Sequence, residues 1–147
     1  MKVAIGCDPN AAQMKTAVIQ LLEDNGYDYC DFGSDDPVYA KTALKVAEAV
    51  ASRTFERGIL FCGTGIGMAL SANKVPGAYA VVCSDAYSVE RSILSNNANI
   101  LTFGSQTHGL GWAKKEILHW LELQYEAGGP SQEKIEGIYA IEKSFLK

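Results

Sequence analysis

The sequence predicts an α/β protein: a three-layer, Rossmann-like sandwich with a five-stranded parallel sheet and an extra C-terminal helix. Five short apolar runs alternate with longer stretches whose apolar residues recur at helical spacing. The third run, GILFC at 58–62, is apolar throughout, which is typical of a central strand covered on both faces. Strands that alternate with helices form a parallel sheet joined by right-handed crossovers.

Each predicted strand is followed by a helix with recognisable end signals. Asn25-Gly26 ends the first helix, and Ser84 or Asp85 is the predicted N-cap of the fourth. Gly128-Gly129-Pro130 separates the fifth helix from the last one. The predicted strands are 2–6, 27–32, 58–62, 78–83 and 100–103, and the predicted helices are 11–25, 39–52, 66–73, 85–95, 109–125 and 131–145.

Length and composition limit the class of protein. The 147 residues suit a single domain, 1–147, and the net charge of -4 argues against a nucleic-acid or anionic-membrane partner. No secretory signal precedes the first strand and no apolar run approaches the ~18 residues of a membrane helix, so a cytoplasmic protein is expected. The four cysteines lack a C-x-x-C pair, which predicts free thiols and no metal site; no cofactor is expected either.

The most informative local pattern is CGTGIG at 62–67, between the third strand and the third helix. Ligands of open parallel sheets bind beyond the carboxyl ends of the strands, which is where this turn falls. Its alternating glycines let backbone N–H groups approach a ligand, and the helix N-terminus favours an anion. It is neither a dinucleotide fingerprint, because Met68 occupies the last glycine position, nor a phosphate loop, because no G-K-[ST] follows.

Cys62 at the head of this turn has two interpretations. Cysteines beside helix N-termini are activated as thiolates and serve as bases or nucleophiles. Buried free cysteines are also common as small apolar residues that simply close a strand. The residue type and its position leave both interpretations open.

Several longer motifs carry a family resemblance: KVAIGCD (2–8), RGILFCGTGIGM (57–68), ANKVPG (72–77), VCSDAYS (82–88) and NNANIL (96–101). Over nearly the whole chain they resemble the ribose-5-phosphate isomerase type B family, which includes the galactose-6-phosphate isomerase subunits. The resemblance implies a cofactor-independent aldose–ketose isomerase of a sugar phosphate that works through an enediolate. It implies that Cys62 is the base, that Thr64 moves a proton between the two oxygens, and that the turn's backbone stabilises the enediolate.

The same resemblance implies the substrate-binding residues and a shared site. Family members are dimers or tetramers whose active site lies between subunits, which would bring Asn96 to Cys62 although the two occupy opposite ends of the predicted sheet. The positions carried over as substrate-binding are Asp8, Pro9, Tyr39, Gly63, Gly65, Ile66, Gly67, Ser95, Asn96 and Lys134.

The chain departs from the family at functional positions. The family's D-H-A-G and H-N-D-A-N read DPNA at 8–11 and SNNAN at 95–99, and Lys134 alone keeps a positive charge in its R-H-x-x-R segment. The histidine missing at 95 is the one assigned to ring opening. The first interpretation is therefore a four-carbon substrate that needs no ring opening, with its phosphate on Arg91, Lys134 or His108.

Other interpretations stay open. The chain is alternatively one subunit of a hetero-oligomeric isomerase, a non-catalytic sugar-phosphate-binding protein, or an isomerase of an ordinary pentose or hexose phosphate. A nucleotide-binding module is disfavoured, because the glycine turn carries no basic residue for the outer phosphates.

Overall fold

The structure, a computed structural model, describes residues 1–146 and contains one parallel sheet with strand order β2-β1-β3-β5-β4. A 3-10 turn follows β1, and five helices connect or flank the strands before the last helix, α6. The strands are β1 (Lys2–Cys7), β2 (Asp28–Asp31), β3 (Arg57–Cys62), β4 (Ala80–Val82) and β5 (Ile100–Gly104). The helices are α1 (Ala12–Asp24), α2 (Tyr39–Ala51), α3 (Ile66–Ala72), α4 (Ala86–Leu94), α5 (Leu110–Glu122) and α6 (Gln132–Phe145), and the 3-10 turn is Pro9–Ala11.

The central strand β3 divides the core into two layers. Ile59 and Phe61 face the layer that contains α1, α4 and α5, whereas Leu60 and Cys62 face the layer that contains α2 and α3. This alternation follows from the two-residue period of a strand and explains why β3 is buried along its whole length. The predicted three-layer fold is confirmed, and Cys62 lies at the carboxyl end of β3 on the α2–α3 side.

Two elements are shorter than the sequence predicts: β4 begins later and α5 ends earlier. β4 begins at Ala80, because the amide of Asn99 accepts from Tyr79 N (2.8 Å) and donates to Gly77 O (2.9 Å) in place of ladder bonds. α5 ends at Glu122, where the predicted helix continued to residue 125. The guanidinium of Arg57 donates to the carbonyl oxygens of Trp120 and Leu123, so a buried side chain from β3 satisfies the end of the helix.

All four cysteines are free, as predicted, but Cys30 is exposed whereas the other three are buried. Tyr29 packs towards the α1 layer, so Cys30 points to the opposite face of the edge strand β2. The helix on that face, α2, lies over β1 and β3 instead. Cys30 is therefore exposed although it lies in a predicted strand.

The last helix is attached at the amino-terminal edge of the sheet. Glu142 accepts from Gly77 N (3.0 Å) and from the hydroxyl of Tyr79 (2.7 Å), and the amide of Asn97 donates to the hydroxyl of Tyr139 (3.2 Å). Only Ile135 of α6 is buried. No helix within residues 1–146 combines the length and apolar character that crossing a membrane requires.

Candidate active site

Cys62 is the last residue of β3 and is only 6% exposed. The chain then reverses through Gly65, whose φ of 80° is left-handed. The backbone N–H of Gly65 donates to Cys62 Sγ at 3.1 Å. A side chain at Gly65 would also meet the backbone of Phe103 at 3.0 Å, so glycine is required here for both conformation and space. The turn therefore directs an N–H dipole at the sulfur, the geometry in which a donor stabilises negative charge.

The glycine turn is bounded on one side by Tyr39, the first residue of α2. A Cβ on Gly67 would lie 2.1 Å from Tyr39 Cε1, so the tyrosine ring packs directly on the glycine. Thr64 is exposed at the top of the turn, and its Oγ1 accepts from Ile66 N at 3.2 Å. Thr64, Gly67 and Tyr39 thus lie together at the turn that follows Cys62.

Asp8 follows β1, the strand next to β3. Cys7 is level with Phe61 in the parallel ladder, so Asp8 lies beside Cys62 at the same edge of the sheet. Its N–H donates to Phe61 O (3.1 Å), and its carboxylate accepts from Asn10 N (3.0 Å). The carboxylate is 6% exposed and caps the 3-10 turn that begins at the exposed Pro9.

The loop after β5 closes the other side of the turn. Ser105 N donates to Cys62 O (2.8 Å) and Gln106 N donates to Gly63 O (3.0 Å). The side-chain amide of Gln106 reaches within 4.0 Å of the position that a Cβ on Gly63 would take. Sequence reasoning missed Gln106; the available signal was its place just beyond β5, a strand whose carboxyl end meets the same edge as β3.

His108, a candidate phosphate ligand by sequence, is buried at this edge. Its Nδ1 accepts from Gly104 N (2.8 Å), so Nε2 carries the proton and donates to the hydroxyl of Ser84 (2.9 Å). Burial lowers the pKa of His108 below its ordinary value, and the ring stacks on Trp112. Both ring nitrogens are engaged and the ring is uncharged at neutral pH, which leaves Arg91 and Lys134 as the predicted cations.

Three of the predicted substrate-binding residues lie far from Cys62 in space within one protomer: Ser95, Asn96 and Lys134. Asn99 O accepts from Gly58 N, which locates the loop before β5 at the amino-terminal edge of the sheet. A strand rises about 3.3 Å per residue, so Gly58 and Cys62 alone are separated by roughly 13 Å. At that edge the exposed Asn96 borders a cleft between β4 and α6. Lys134 is exposed on α6. Arg91 donates to the hydroxyl of Ser95 (3.2 Å).

Within residues 1–146, no group of three or more His, Cys, Asp or Glu side chains is placed to hold a metal ion. What the carboxyl edge does hold is a cysteine sulfur, a turn of backbone amides and a buried carboxylate. These groups suit an enzyme that moves a proton on a carbon next to a carbonyl: a base, donors for the oxyanion and an acceptor for sugar hydroxyls.

The comparison with known proteins specifies this class. The chain belongs to the ribose/galactose isomerase family, because the family model described as Ribose/Galactose Isomerase matches residues 3–138. It is 42% identical over 145 residues to ribose-5-phosphate isomerase B of Escherichia coli, with 97% of each chain covered. It is 39% identical over 141 residues to D-erythrulose-4-phosphate isomerase of Pectobacterium atrosepticum, with 92% of this chain and 93% of the relative covered.

The fold comparison agrees. The structure of ribose-5-phosphate isomerase B from Clostridium thermocellum superimposes with a TM-score of 0.93 at 38% identity, covering 99% of this chain and 100% of that one. The protein is therefore a sugar-phosphate isomerase of this family, an enzyme that interconverts aldoses and ketoses.

Proposed function

We propose that residues 1–147 act as one isomerase domain in which Cys62 is the base that forms an enediolate from a sugar phosphate. The observation that carries this proposal is the position of Cys62 Sγ at the open edge of the sheet, where it accepts from Gly65 N at 3.1 Å and lies beside Asp8. A core cysteine that merely closed a strand would need no donor aimed at its sulfur. The reaction needs no cofactor, because the proton that leaves one carbon returns to the next.

The proposed reaction proceeds in three proton movements. Cys62 thiolate removes the proton from the carbon next to the carbonyl, and negative charge develops on the carbonyl oxygen. The N–H of Gly65 donates to the sulfur and that of Ile66 donates to Thr64 Oγ1, so the remaining amides of the 63–67 turn are the ones that stabilise the oxyanion. Thr64 moves a proton between the two oxygens, and the Cys62 thiol returns its proton to the adjacent carbon.

We propose a four-carbon substrate with phosphate on O4. Such a sugar cannot close a five-membered ring through O4, so it needs no acid–base group for ring opening. The two histidines of the chain support this interpretation: His108 has both ring nitrogens engaged, and His119 is exposed on α5. The similarity to a relative named D-erythrulose-4-phosphate isomerase points to the same substrate length.

We further propose that the active unit is a homodimer or a tetramer built from such dimers, with each site shared between two copies. The family resemblance assigns substrate-binding roles to residues at both ends of the strands. Asp8 and Tyr39 lie at the carboxyl edge of the sheet, and Asn96 lies at the amino-terminal edge. Ile66 and Leu70 of α3, beside the glycine turn, are 53% and 64% exposed. Exposed apolar residues that lie together mark an interaction surface, and a two-fold axis would bring Asn96 and Lys134 of one copy to Cys62 of the other.

The test is hydrogen exchange in D₂O with the purified protein and a panel of four-, five- and six-carbon sugar phosphates. NMR should show deuterium at the carbon next to the carbonyl and conversion of aldose to ketose, with the four-carbon substrate preferred. Cys62→Ala should abolish both signals, whereas Cys30→Ala, an exposed cysteine on β2, should leave them unchanged. Absence of exchange with every sugar would contradict a self-sufficient enzyme and favour a second subunit type or a binding protein.

A further inference from the structure

A cavity of about 540 Å³ lies at the amino-terminal edge of the sheet, between the end of α2, the loop before β5 and α6. Arg53 and Glu56 line it from the loop after α2, Asn97 from the loop before β5, and Tyr139 from α6. Glu56 immediately precedes β3, and the other end of that strand carries Cys62, roughly 15 Å further along. Within one protomer the cavity is therefore separate from the candidate active site.

Two residues that line this cavity have a left-handed backbone although neither is glycine. Arg53 has a φ of 62° and Asn97 a φ of 51°, and no other non-glycine residue among residues 1–146 has a positive φ. Asparagine adopts this conformation readily, whereas arginine incurs a steric cost that glycine would avoid. Residues held in such conformations cluster at functional sites. The presence of both at one cavity therefore points to a function for that cavity.

Arg53 occupies the position after a helix end at which glycine is the usual residue. Its backbone N–H donates to Val50 O (3.0 Å) and so closes α2, an arrangement that uses no side-chain atom. Neither the ion pairs nor the side-chain hydrogen bonds within residues 1–146 engage the guanidinium of Arg53. The turn therefore gains nothing from the arginine side chain, and its charge is available to a ligand in the cavity.

The donors that line the cavity suit a phosphate ester. Asn97 Nδ2 donates to the hydroxyl of Tyr139 (3.2 Å), which leaves the Tyr139 proton and the second amide hydrogen of Asn97 free. With the guanidinium of Arg53, three segments of the chain thus offer donors to the three terminal oxygens of a phosphate. Among the described residues of the wall the one carboxylate is that of Glu56, which lies 3.8 Å from the N-terminal ammonium of Met1. That ammonium offsets the charge of Glu56.

We propose that this cavity is a second binding site, for the phosphate group of a small organic phosphate, with Arg53 as its main anion-binding residue. Phe55 and Tyr79 also line the cavity, and their rings offer apolar surface to the carbon skeleton of the ligand. The site goes beyond the proposed isomerisation, because it lies at the opposite end of β3 from Cys62 and binds its ligand without reaction.

The experiment measures by equilibrium dialysis how many equivalents of radiolabelled glycerol 3-phosphate the full-length protein binds. This phosphate ester has no carbonyl group and cannot be isomerised. The wild type should bind one more equivalent per protomer than Arg53→Gln, which removes the guanidinium. Lys115→Gln removes the same charge from an exposed position on α5 and should leave the stoichiometry unchanged. Arg53→Gly should also lose this equivalent but keep the unfolding temperature of the ligand-free wild type, because glycine suits the turn.

Three results would overturn the inference. Equal stoichiometry in the wild type and Arg53→Gln would exclude the second site and leave the isomerase proposal intact. A KM for the four-carbon substrate that rises at least tenfold in Arg53→Gln would place this arginine in an active site shared with a second copy. A lower unfolding temperature of Arg53→Gly would show that the arginine supports the fold and not a ligand. The binding measurement requires no turnover, so its outcome does not depend on the proposed function.

Discussion

Gly67 has no side chain, and this lets the ring of Tyr39 pack against the glycine turn and form one wall of the site, the Tyr39 wall. The position that a Cβ would occupy lies 2.1, 2.6 and 2.8 Å from three ring atoms of Tyr39. Real Cβ atoms do not approach so closely, so any side chain at Gly67 must displace the ring. The φ angle of Gly67 does not require glycine, unlike that of Gly65, which is left-handed. Space alone therefore accounts for this glycine.

We predict that Gly67→Ala lowers kcat/KM at least tenfold, because Tyr39 must move away from the turn. The free energy of unfolding should change little, since Tyr39 is 41% exposed and alanine is the better helix former. Steady-state kinetics and urea denaturation measure the two effects. Gly111→Ala on α5, where no atom lies within 4 Å of the added methyl group, is the matched control and should keep activity. Equal activity in both variants would contradict a role for the Tyr39 wall.

The local sequence pattern predicts the turn at 62–67 but does not predict the position of Gln106. The turn formed by Cys62 and the glycines is predicted from the sequence, because an unusual local sequence between a strand and a helix encodes its geometry. Gln106 was missed, because nothing in its neighbours distinguishes it. Its position over Gly63 arises from the pairing of β3 with β5, about forty residues apart in the chain.

At the scale of elements, the end of α5 shows how a distant side chain replaces a local stop signal. Arg57, at the start of β3, is 8% exposed, lies 4.9 Å from the centre of the Trp120 ring, and donates to the carbonyl oxygens of Trp120 and Leu123. Burial lowers the pKa of Arg57 to about 10, so the guanidinium is still charged at neutral pH. The apolar pattern continues past Glu122, which is why the helix was predicted to run too far.

We predict that Arg57→Lys lowers the free energy of unfolding by about 2 kcal/mol, because an ammonium cannot reach both carbonyls with the planar fork of arginine. Urea denaturation measures the change. Arg53→Lys, an exposed position in the loop between α2 and β3, is the control and should change stability by less than about 0.5 kcal/mol. Equal stability of the two variants would mean that the helix end needs no side-chain donor.

At the scale of the whole molecule, the two sets of predicted site residues lie at opposite edges of one sheet. Asp8, Tyr39 and Cys62 meet at the carboxyl edge, and Asn96 and Lys134 lie at the other edge. The exposed apolar side chains of α3 and α6 offer surfaces on which a second copy could pack. A shared site makes a specific prediction about mixtures of two inactive variants.

We predict that Cys62→Ala and Asn96→Ala, each without substantial activity alone, complement each other when co-expressed. Random pairing makes about half of the dimers mixed, and each mixed dimer has one intact site of two, so about a quarter of wild-type activity should return. Activity assays on the co-purified, differently tagged mixture measure the recovery. Mixing Cys62→Ala with Asp8→Asn is the control and should restore nothing, because both changes fall in the same protomer's half-site. No recovery in the first mixture would contradict a shared site.

The sequence alone determined the fold class, the number and approximate bounds of the strands and helices, and the turn at 62–67. These features depend on hydrophobic period and on glycine, proline and capping residues, which act within a few positions of the chain. The tertiary structure decided the strand order, the early end of α5, the neutral ring of His108 and the position of Gln106 beside the turn. Those features depend on burial and on hydrogen bonds between residues far apart in sequence, and such contacts exist only once the sheet has assembled.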